Sequence, residues 1–278
     1  MSVESVFKYV CPKPQRVVIL SKELPQSVKI ELLKYGRVEF VDEDSVIEGL
    51  NFSNMPQIVV DGVNVKGWFL QQFLKWEARR LSQTDDYMVI DADVVFIKET
   101  DFIRDNKYVF RTKRNFYAPY FEAYKNYFGY LPDSSKSYVS DYMIFNKKFL
   151  NEIILKIEEK QAGKKWYEIV LAHFKERVIT TFSEYEFYGC YMEKFYRDRI
   201  QIIQQGADYQ YSMKNPSLNR LLFIPSNYSH HHSFLKFMAR RFGFSGLAYP
   251  SHDKSEASFL WWLCNKFFRI VQKKTGQY

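Results

Sequence analysis

Short apolar runs alternate with helix-like stretches along the first part of the chain. Residues 16–20, 57–60 and 87–90 are almost continuously apolar, which predicts strands buried on both faces. Residues 67–81 carry apolar side chains at helical spacing, which predicts a helix. This alternation indicates an α/β fold, with a mostly parallel mixed sheet flanked by helices. Ligands of such sheets bind at the carboxyl ends of the strands.

The pattern continues less regularly in the middle of the chain. Residues 138–146 predict a strand, and residues 149–160 predict a helix. Another helix is expected to begin near residue 183, because Ser183 and Glu186 form the S-x-x-E pattern of a capping box. We find no linker-like segment, so we expect one continuous body.

Composition narrows the class of protein. The 278 residues are 46% hydrophobic and 26% charged, which excludes a disordered chain. The three cysteines are too far apart for a disulfide framework or a CxxC metal site. The formal net charge of +8 favours anionic partners, such as nucleotide phosphates, nucleic acid or an acidic membrane surface.

Targeting signals are not apparent in the sequence. The N-terminal residues lack the basic and then apolar order of a signal peptide. No stretch approaches the roughly 20 apolar residues that span a bilayer. We therefore expect a cytoplasmic protein with reduced thiols.

The most informative segment is the pair of carboxylates directly after the strand at 87–90. Asp91 and Asp93 flank one small residue at the end of that strand. Magnesium typically takes one or two carboxylates together with substrate phosphates. The pair therefore predicts a cation site, with simple termination of the strand as the structural alternative.

Two classes of enzyme place D-x-D after an apolar strand. In haloacid-dehalogenase-like phosphatases the first Asp is the nucleophile, which here would be Asp91, and a late acidic pair is also required. No convincing late pair is present. In nucleotide-sugar glycosyltransferases of the GT-A fold the motif follows several strand and helix units, as it does here.

Several blocks around Asp91-Ala92-Asp93 carry a resemblance to a known group. Residues 67–75 (GWFLQQFLK), 140–146 (SDYMIFN) and 183–189 (SEYEFYG) are similar to blocks of bacterial DXD glycosyltransferases of GT-A fold that build surface polysaccharides. The resemblance extends from about Gly67 to Gly189. It implies a hexosyltransferase-like enzyme of lipopolysaccharide or capsule biosynthesis, with a nucleotide-sugar donor and a glycan or lipid-linked oligosaccharide acceptor.

The resemblance also implies roles for the motif residues. Mn²⁺ or Mg²⁺ would be held mainly by Asp93, with Asp91 contacting the ribose or a metal-bound water. Such enzymes often complete the site with a late His, which makes His230, His231 and His232 candidates, and Mn²⁺ tolerates this mixed ligand set.

Transfer with inversion needs a general base for the acceptor hydroxyl. Glu184 is the preferred candidate because it precedes the expected helix proper, and Asp141 is its rival because it interrupts an apolar strand. Glu186 is a third candidate, with a competing role in the capping box. The sequence leaves retaining and inverting chemistry open.

Further residues are expected around the donor. Ser21 and Asp61 end earlier strands and are candidates for nucleotide contact, and the resemblance adds Trp68 and Gln71. For Lys75 and Arg79, solvent exposure is favoured over phosphate contact.

Two basic aromatic segments, 234–244 and 257–271, predict amphipathic helices at a membrane surface. We therefore expect a GT-A-like catalytic domain over residues 1–228, and over 229–278 a His-containing loop with basic C-terminal helices packed on it. The expected location is peripheral, on the cytoplasmic face of the inner membrane. The excess of Phe and Tyr is expected to serve an acceptor cleft and this tail.

A non-catalytic protein that binds membrane or nucleic acid is the remaining alternative, and nucleic acid is the least supported partner because no recognised motif is present.

Overall fold

The computed structural model describes residues 2–60, 62–113, 117–173, 182–204, 221–241, 244 and 246–249. The α-helices are α1 (Ser2–Tyr9), α2 (Gln26–Leu33), α3 (Lys66–Glu77), α4 (Ala118–Phe128), α5 (Lys147–Glu158), α6 (Trp166–Ala172), α7 (Glu184–Phe195) and α8 (His232–Arg241). Short 3-10 helices lie at Glu43–Ser45, Ala78–Arg80, Arg197–Arg199 and Ser226–His231.

The strands are β1 (Val10–Cys11), β2 (Val17–Leu20), β3 (Val38–Val41), β4 (Val59–Val60), β5 (Val63–Asn64), β6 (Asp86–Ile90), β7 (Val94–Phe96), β8 (Thr100–Asp101), β9 (Ile103–Arg104), β10 (Lys107–Thr112), β11 (Tyr142–Asn146), β12 (Ile200–Gln204), β13 (Leu221–Phe223) and β14 (Gly246–Ala248).

Both parallel and antiparallel pairs occur among these strands. β2 and β3 run parallel, as do β10 and β12. β6 and β11 run antiparallel, as do β7 and β14. The described strands pair into six small sheets of two or three strands. The predicted mixed α/β class, with helices beside the strands, is confirmed.

The predicted burial and extent of several strands are wrong. β2 and β6 are half-buried along their length, and each pairs with one neighbour in the described part of the chain, which leaves fewer side chains to cover it. The strand expected over 57–60 is only β4, because the chain turns back to pair with β5. The strand expected over 138–146 is only β11, because the backbone at Tyr138 bonds to a side chain of α7 instead.

An aromatic cluster forms the centre of the core. The rings of Phe73, Trp76, Trp166 and Phe182 lie with centroids 4.9–5.9 Å apart, several in edge-to-face pairs. Such pairs add attraction beyond the area that they bury. Much of the aromatic content therefore serves the core, in addition to any role in an acceptor cleft or tail.

Helix α3 packs its apolar stripe against the start of α7. Phe69, Phe73 and Trp76 lie on the buried side of α3, at helical spacing. Ser183 caps α7 by accepting a hydrogen bond from the Glu186 backbone N–H at 3.3 Å. The indole N–H of Trp76 donates to the backbone oxygen of Glu184 at 3.2 Å. The two helices are thus fixed relative to each other near residue 184.

The described residues after 228 pack against the strand that follows Asp93. β14 pairs with β7, and a second apolar cluster joins Val95, Leu222, Leu235 and Leu247. The domain boundary at 228/229 stays a prediction, and the segment 257–271 lies outside the described residues. Within the described ranges, no helix is both long enough and apolar enough to cross a membrane.

We predict that Gly189→Ala destabilises the protein by about 1–3 kcal/mol, because overpacking of a filled core has that cost. A Cβ at Gly189 would overlap the Tyr138 ring. That ring is 1% exposed, and its hydroxyl donates to Glu193 at 2.8 Å, so it has little room to move. Urea unfolding measures the change.

The matched control is Gly67→Ala in α3, where a Cβ would make an ordinary 3.5 Å contact with Phe52. This variant is expected to be as stable as the parent or slightly more so, because Ala favours helix over Gly by up to about 1 kcal/mol. Equal effects of the two substitutions would contradict the packing argument.

Candidate functional site

Two carboxylates lie opposite each other where β6 ends and β11 begins. In the antiparallel register Tyr142 pairs with Ile90, which places Asp141 opposite Asp91. The Asp91 backbone N–H donates to the Asp141 carbonyl at 2.9 Å, so the pairing continues one residue beyond the strands. Side chains at directly opposed positions are close neighbours. The structure therefore joins the motif of residues 91–93 to an acid from a distant part of the sequence.

Asp93 lies in the tight turn between β6 and β7. The Val94 N–H donates to the Asp91 carbonyl at 3.1 Å, and the Tyr249 N–H donates to the Asp93 carbonyl at 3.3 Å. These bonds hold the turn from both sides. The expected placement of Asp91 and Asp93 at a strand end is thus found in the structure.

Lys75 lies at the centre of the charged cluster. Its ammonium is 3.0 Å from Asp91 Oδ1 and 2.9 Å from Glu184 Oε1, and 4.5 Å from the centre of the Tyr185 ring. The Lys75 side chain is only 11% exposed. Burial works to lower the pKa of Lys75, but Glu184, with contributions from Tyr185 and Asp91, outweighs it and raises the pKa. The prediction that Lys75 lies in solvent is wrong, because its side chain extends along the core to pair with the buried Glu184 and the partly exposed Asp91.

Both oxygens of Glu184 are engaged. Oε1 is 2.9 Å from the Lys75 ammonium. Oε2 accepts a hydrogen bond from the side-chain amide of Gln72 at 2.7 Å when the amide nitrogen, rather than the amide oxygen, faces Glu184. The Glu184 side chain is 6% exposed. The preferred base candidate is therefore a buried carboxylate with fixed partners.

Glu186 has partners of its own within the fold. Its carboxylate accepts hydrogen bonds from the Ser137 hydroxyl at 2.5 Å and from the Tyr138 backbone N–H at 3.0 Å. Burial raises the pKa of Glu186, and these two hydrogen bonds oppose the rise. The predicted cap by Ser183 is found, but the Glu186 carboxylate bonds the segment before β11 rather than the start of its own helix. Glu186 thereby holds the chain that leads to Asp141.

Burial and neighbouring carboxylates both raise the pKa of Asp141. Burial is the main cause that raises its pKa to about 7, and the negative charge of Asp91 is the next. Asp93 adds to the rise, whereas Lys113 and Lys75 oppose it. Asp91, Asp93, Lys75 and Lys113 are therefore all close enough to Asp141 to affect its pKa.

The other described donor-side candidates lie on other elements, after β2 and on α3. Ser21 follows β2, and its hydroxyl donates to the Glu23 carbonyl at 2.8 Å. Trp68 and Gln71 lie on the exposed side of α3, with Trp68 36% exposed. Asp61 lies outside the described residues.

Sequence reasoning missed Gln72 and Lys75. Gln72 lies on the stripe formed by Phe69, Phe73 and Trp76, and Lys75 follows one turn later. A polar residue on an apolar stripe needs a buried partner, and that interruption was the available signal.

The three histidines occupy the junction of a 3-10 helix and α8 rather than an open loop. The rings of His230 and His231 contact each other at a tilt of 46°, with centroids 4.0 Å apart. Nδ1 of His232 is 2.9 Å from the Tyr249 hydroxyl, and the backbone of Tyr249 bonds to Asp93. His232 also lines a small cavity with Glu4 and Ser5.

The acids at the ends of β6 and β11 fit a divalent cation. In the described part of the chain, no group of three or more His, Cys, Asp or Glu residues is arranged to hold a metal ion. A cation bound with a diphosphate needs only one or two carboxylates from the protein, and hard oxygen ligands suit Mg²⁺ and Mn²⁺. Asp91 and Asp93 carry carboxylates of this kind, and a cation beside them would offset the negative charges that, together with burial, raise the pKa of Asp141.

We predict that Asp141 makes the metal-free protein less stable as the pH rises from 3.8 to about 7. The folded pKa lies above the unfolded value, so the folded state retains a proton in this range that the unfolded state releases. Stability is therefore greatest below the range and is lost through it, by up to about 4 kcal/mol.

Urea unfolding in EDTA at several pH values checks this prediction, with Asp141→Asn as the comparison. The variant has no carboxyl group to titrate, so its stability is expected to change less with pH. The same pH dependence in both proteins would show that Asp141 titrates normally.

Comparison with known proteins gives a family and likenesses to solved structures. No curated protein matches the chain. Among solved structures, the apo-form glycosyltransferase GlyE of Streptococcus pneumoniae TIGR4 is similar at 12% identity and a TM-score of 0.35. The similarity covers 94% of this chain and 56% of that one, so this chain spans about half of that structure. The model of a family of unknown function (DUF6492) matches residues 5–218. This match covers well over half of the chain, and the protein therefore belongs to that family of unknown function, DUF6492.

Proposed function

We propose that the protein is a metal-dependent glycosyltransferase that moves a sugar from a nucleotide-sugar to a bacterial surface glycan. The observation that carries the proposal is the pairing of Asp141 with Asp91, close enough to Asp93 for its charge to act on Asp141, where β6 ends and β11 begins. Carboxylates in this position suit a cation bound together with a diphosphate. The sequence blocks that resemble DXD glycosyltransferases contribute three parts of the same site, namely α3, β11 and the start of α7.

Asp93 binds the cation in this proposal, and Asp91 contacts the ribose or a metal-bound water. When bound, the cation neutralises charge on the leaving diphosphate. The protein fixes both acids by the backbone bonds of the turn before β7. Ser21, Asp61, Trp68 and Gln71 are the further donor contacts that we propose. Among the candidate metal ligands His230, His231 and His232, His232 contacts the Tyr249 hydroxyl, and the Tyr249 backbone bonds to Asp93.

Transfer with inversion requires a base on the acceptor side. Glu186 is the least suited of the candidate acids, because its oxygens accept hydrogen bonds from Ser137 and Tyr138. Glu184 and Asp141 remain the candidates. Retention of activity after substitution of each would favour a retaining mechanism.

The proposed acceptor is a lipid-linked oligosaccharide at an anionic membrane surface. Phe234, Phe237 and Arg241 lie at i, i+3 and i+7 of α8 and therefore on one side of it. Phe237 is 66% exposed, whereas Leu235 and Ala239 on the opposite side are buried. An exposed aromatic and basic side of a helix suits the headgroup region of such a membrane.

We predict that Asp93→Ala lowers transfer by at least about 100-fold, which is the usual cost of removing one group that stabilises the leaving charge. The assay measures nucleoside diphosphate released from a panel of nucleotide-sugars in Mn²⁺. Glu99→Ala is the matched control, since Glu99 is an exposed acid of the same segment and is expected to be dispensable.

Full activity of Asp93→Ala, or undiminished activity in excess EDTA, would remove the metal-dependent mechanism. A covalent acyl-phosphate trapped on Asp91, with no use of nucleotide-sugars, would instead establish the phosphatase alternative. Salt-sensitive binding to RNA or DNA without turnover would favour the non-catalytic alternative.

We predict that Phe237→Ser weakens binding to phosphatidylglycerol vesicles roughly tenfold, because insertion of a Phe side chain contributes about 1.5–3 kcal/mol. Vesicle co-sedimentation measures the binding. Leu155→Ser on α5 is the control, because Leu155 is also exposed (58%) but lies on another helix. Equal binding by the parent protein and Phe237→Ser would exclude α8 as the contact.

A further inference from the structure

Lys75 connects two acids that belong to different parts of the proposed site. Its ammonium is 3.0 Å from Asp91 at the end of β6 and 2.9 Å from Glu184 at the start of α7. The Asp91 side chain is 30% exposed, whereas that of Glu184 is only 6% exposed. The Lys75 ammonium therefore pairs with one carboxylate that is accessible to ligands, Asp91, and with one that is enclosed, Glu184.

The enclosed partner keeps Lys75 in place. Oε2 of Glu184 accepts a hydrogen bond from Gln72 at 2.7 Å, and the Glu184 backbone oxygen accepts one from the Trp76 indole at 3.2 Å. Both donors come from α3, the helix that carries Lys75 itself. The ammonium also lies 4.5 Å from the centre of the Tyr185 ring. These contacts hold the ammonium beside Asp91 whether or not a ligand is present.

A fixed positive charge beside Asp91 has a consequence for cations. A divalent ion bound by the same carboxylate would lie within a few ångströms of the ammonium, and like charges at that separation repel appreciably even under the screening typical of proteins. A diphosphate bound with the ion adds negative charge that offsets this repulsion.

We propose that Lys75 is a positioning residue that acts as the built-in counter-ion of Asp91, so that a divalent cation binds weakly alone and well together with a nucleoside diphosphate. Glu184 serves in this arrangement as the anchor of Lys75 rather than as the base. The inference deepens the proposed glycosyltransferase function and rests on it for the identity of the ligands.

Titration with Mn²⁺ alone, followed by electron paramagnetic resonance of the free ion, tests this inference without any turnover. Lys75→Met keeps much of the side-chain volume and removes the charge. It is expected to bind Mn²⁺ at least about tenfold more tightly than the parent, because a repulsive charge is lost next to the ligand. Lys75→Arg keeps the charge and is expected to remain within about threefold of the parent affinity.

A structural role alone predicts the opposite direction, since a disturbed site binds its ion more weakly. An unchanged or lower Mn²⁺ affinity of folded Lys75→Met would overturn the inference. Loss of one member of a buried ion pair can prevent folding, so the double variant Lys75→Met/Glu184→Gln provides a second test. It removes the charges of Lys75 and Glu184. The Mn²⁺ affinity is expected to rise at least about threefold, because the positive charge next to Asp91 is still lost.

The same titration repeated with UDP and with GDP separates this inference from the proposed function. UDP or GDP, whichever binds more tightly, is expected to raise the Mn²⁺ affinity by a smaller factor in Lys75→Met than in the parent. That factor measures the coupling between the two ligands. Equal gains would overturn the role of Lys75 while leaving the metal and nucleotide site intact. No Mn²⁺ binding by the parent with either nucleotide would overturn the metal-dependent function, and this inference with it.

Discussion

The ammonium of Lys75, held between Asp91 and Glu184, is the interaction around which the candidate site is arranged. It joins α3, the end of β6 and the start of α7 through two contacts of about 3 Å. Buried charges need such partners, because an isolated ion in the protein interior is strongly disfavoured. The aromatic cluster beneath it, with Trp76 bonded to Glu184, keeps the two helices at a fixed separation. Packing and charge thus support the same geometry.

Two of the carboxylates, Glu184 and Glu186, hold parts of the fold together, whereas Asp91 and Asp141 lie at the proposed ligand site. Glu186 ties the segment before β11 to α7, and Glu184 holds Lys75. Asp91 and Asp141 face each other at the strand ends, and their mutual repulsion raises the pKa of Asp141 in addition to burial. A site that concentrates negative charge in this way is suited to a cation brought in with an anionic ligand.

The sequence predicted the parts of this arrangement that depend on local pattern. The α/β class, α3, the cap at Ser183 and the strand before Asp91 follow from periodicity and capping, and each is found in the structure. The partnership of Asp91 with Asp141 depends on the register between β6 and β11, which β7 to β10 and α4 separate along the chain, and the local pattern does not encode that register. The sequence favours solvent exposure for Lys75, whereas its burial follows from its contacts with Glu184 and Asp91, which only the tertiary structure brings beside it. The broad apolar runs at 16–20 and 87–90 likewise indicated strands but not how far neighbours cover them.

The most direct measurement is a thermal-shift screen of nucleotide-sugars with and without Mn²⁺. A ligand that binds only the folded state raises the melting temperature in proportion to its occupancy. We predict that at least one nucleotide-sugar stabilises the protein, that the shift requires Mn²⁺, and that it is lost in Asp93→Ala. Absence of a shift with every nucleotide-sugar, or a shift that is unchanged in EDTA, would contradict a metal-dependent donor site at the end of β6.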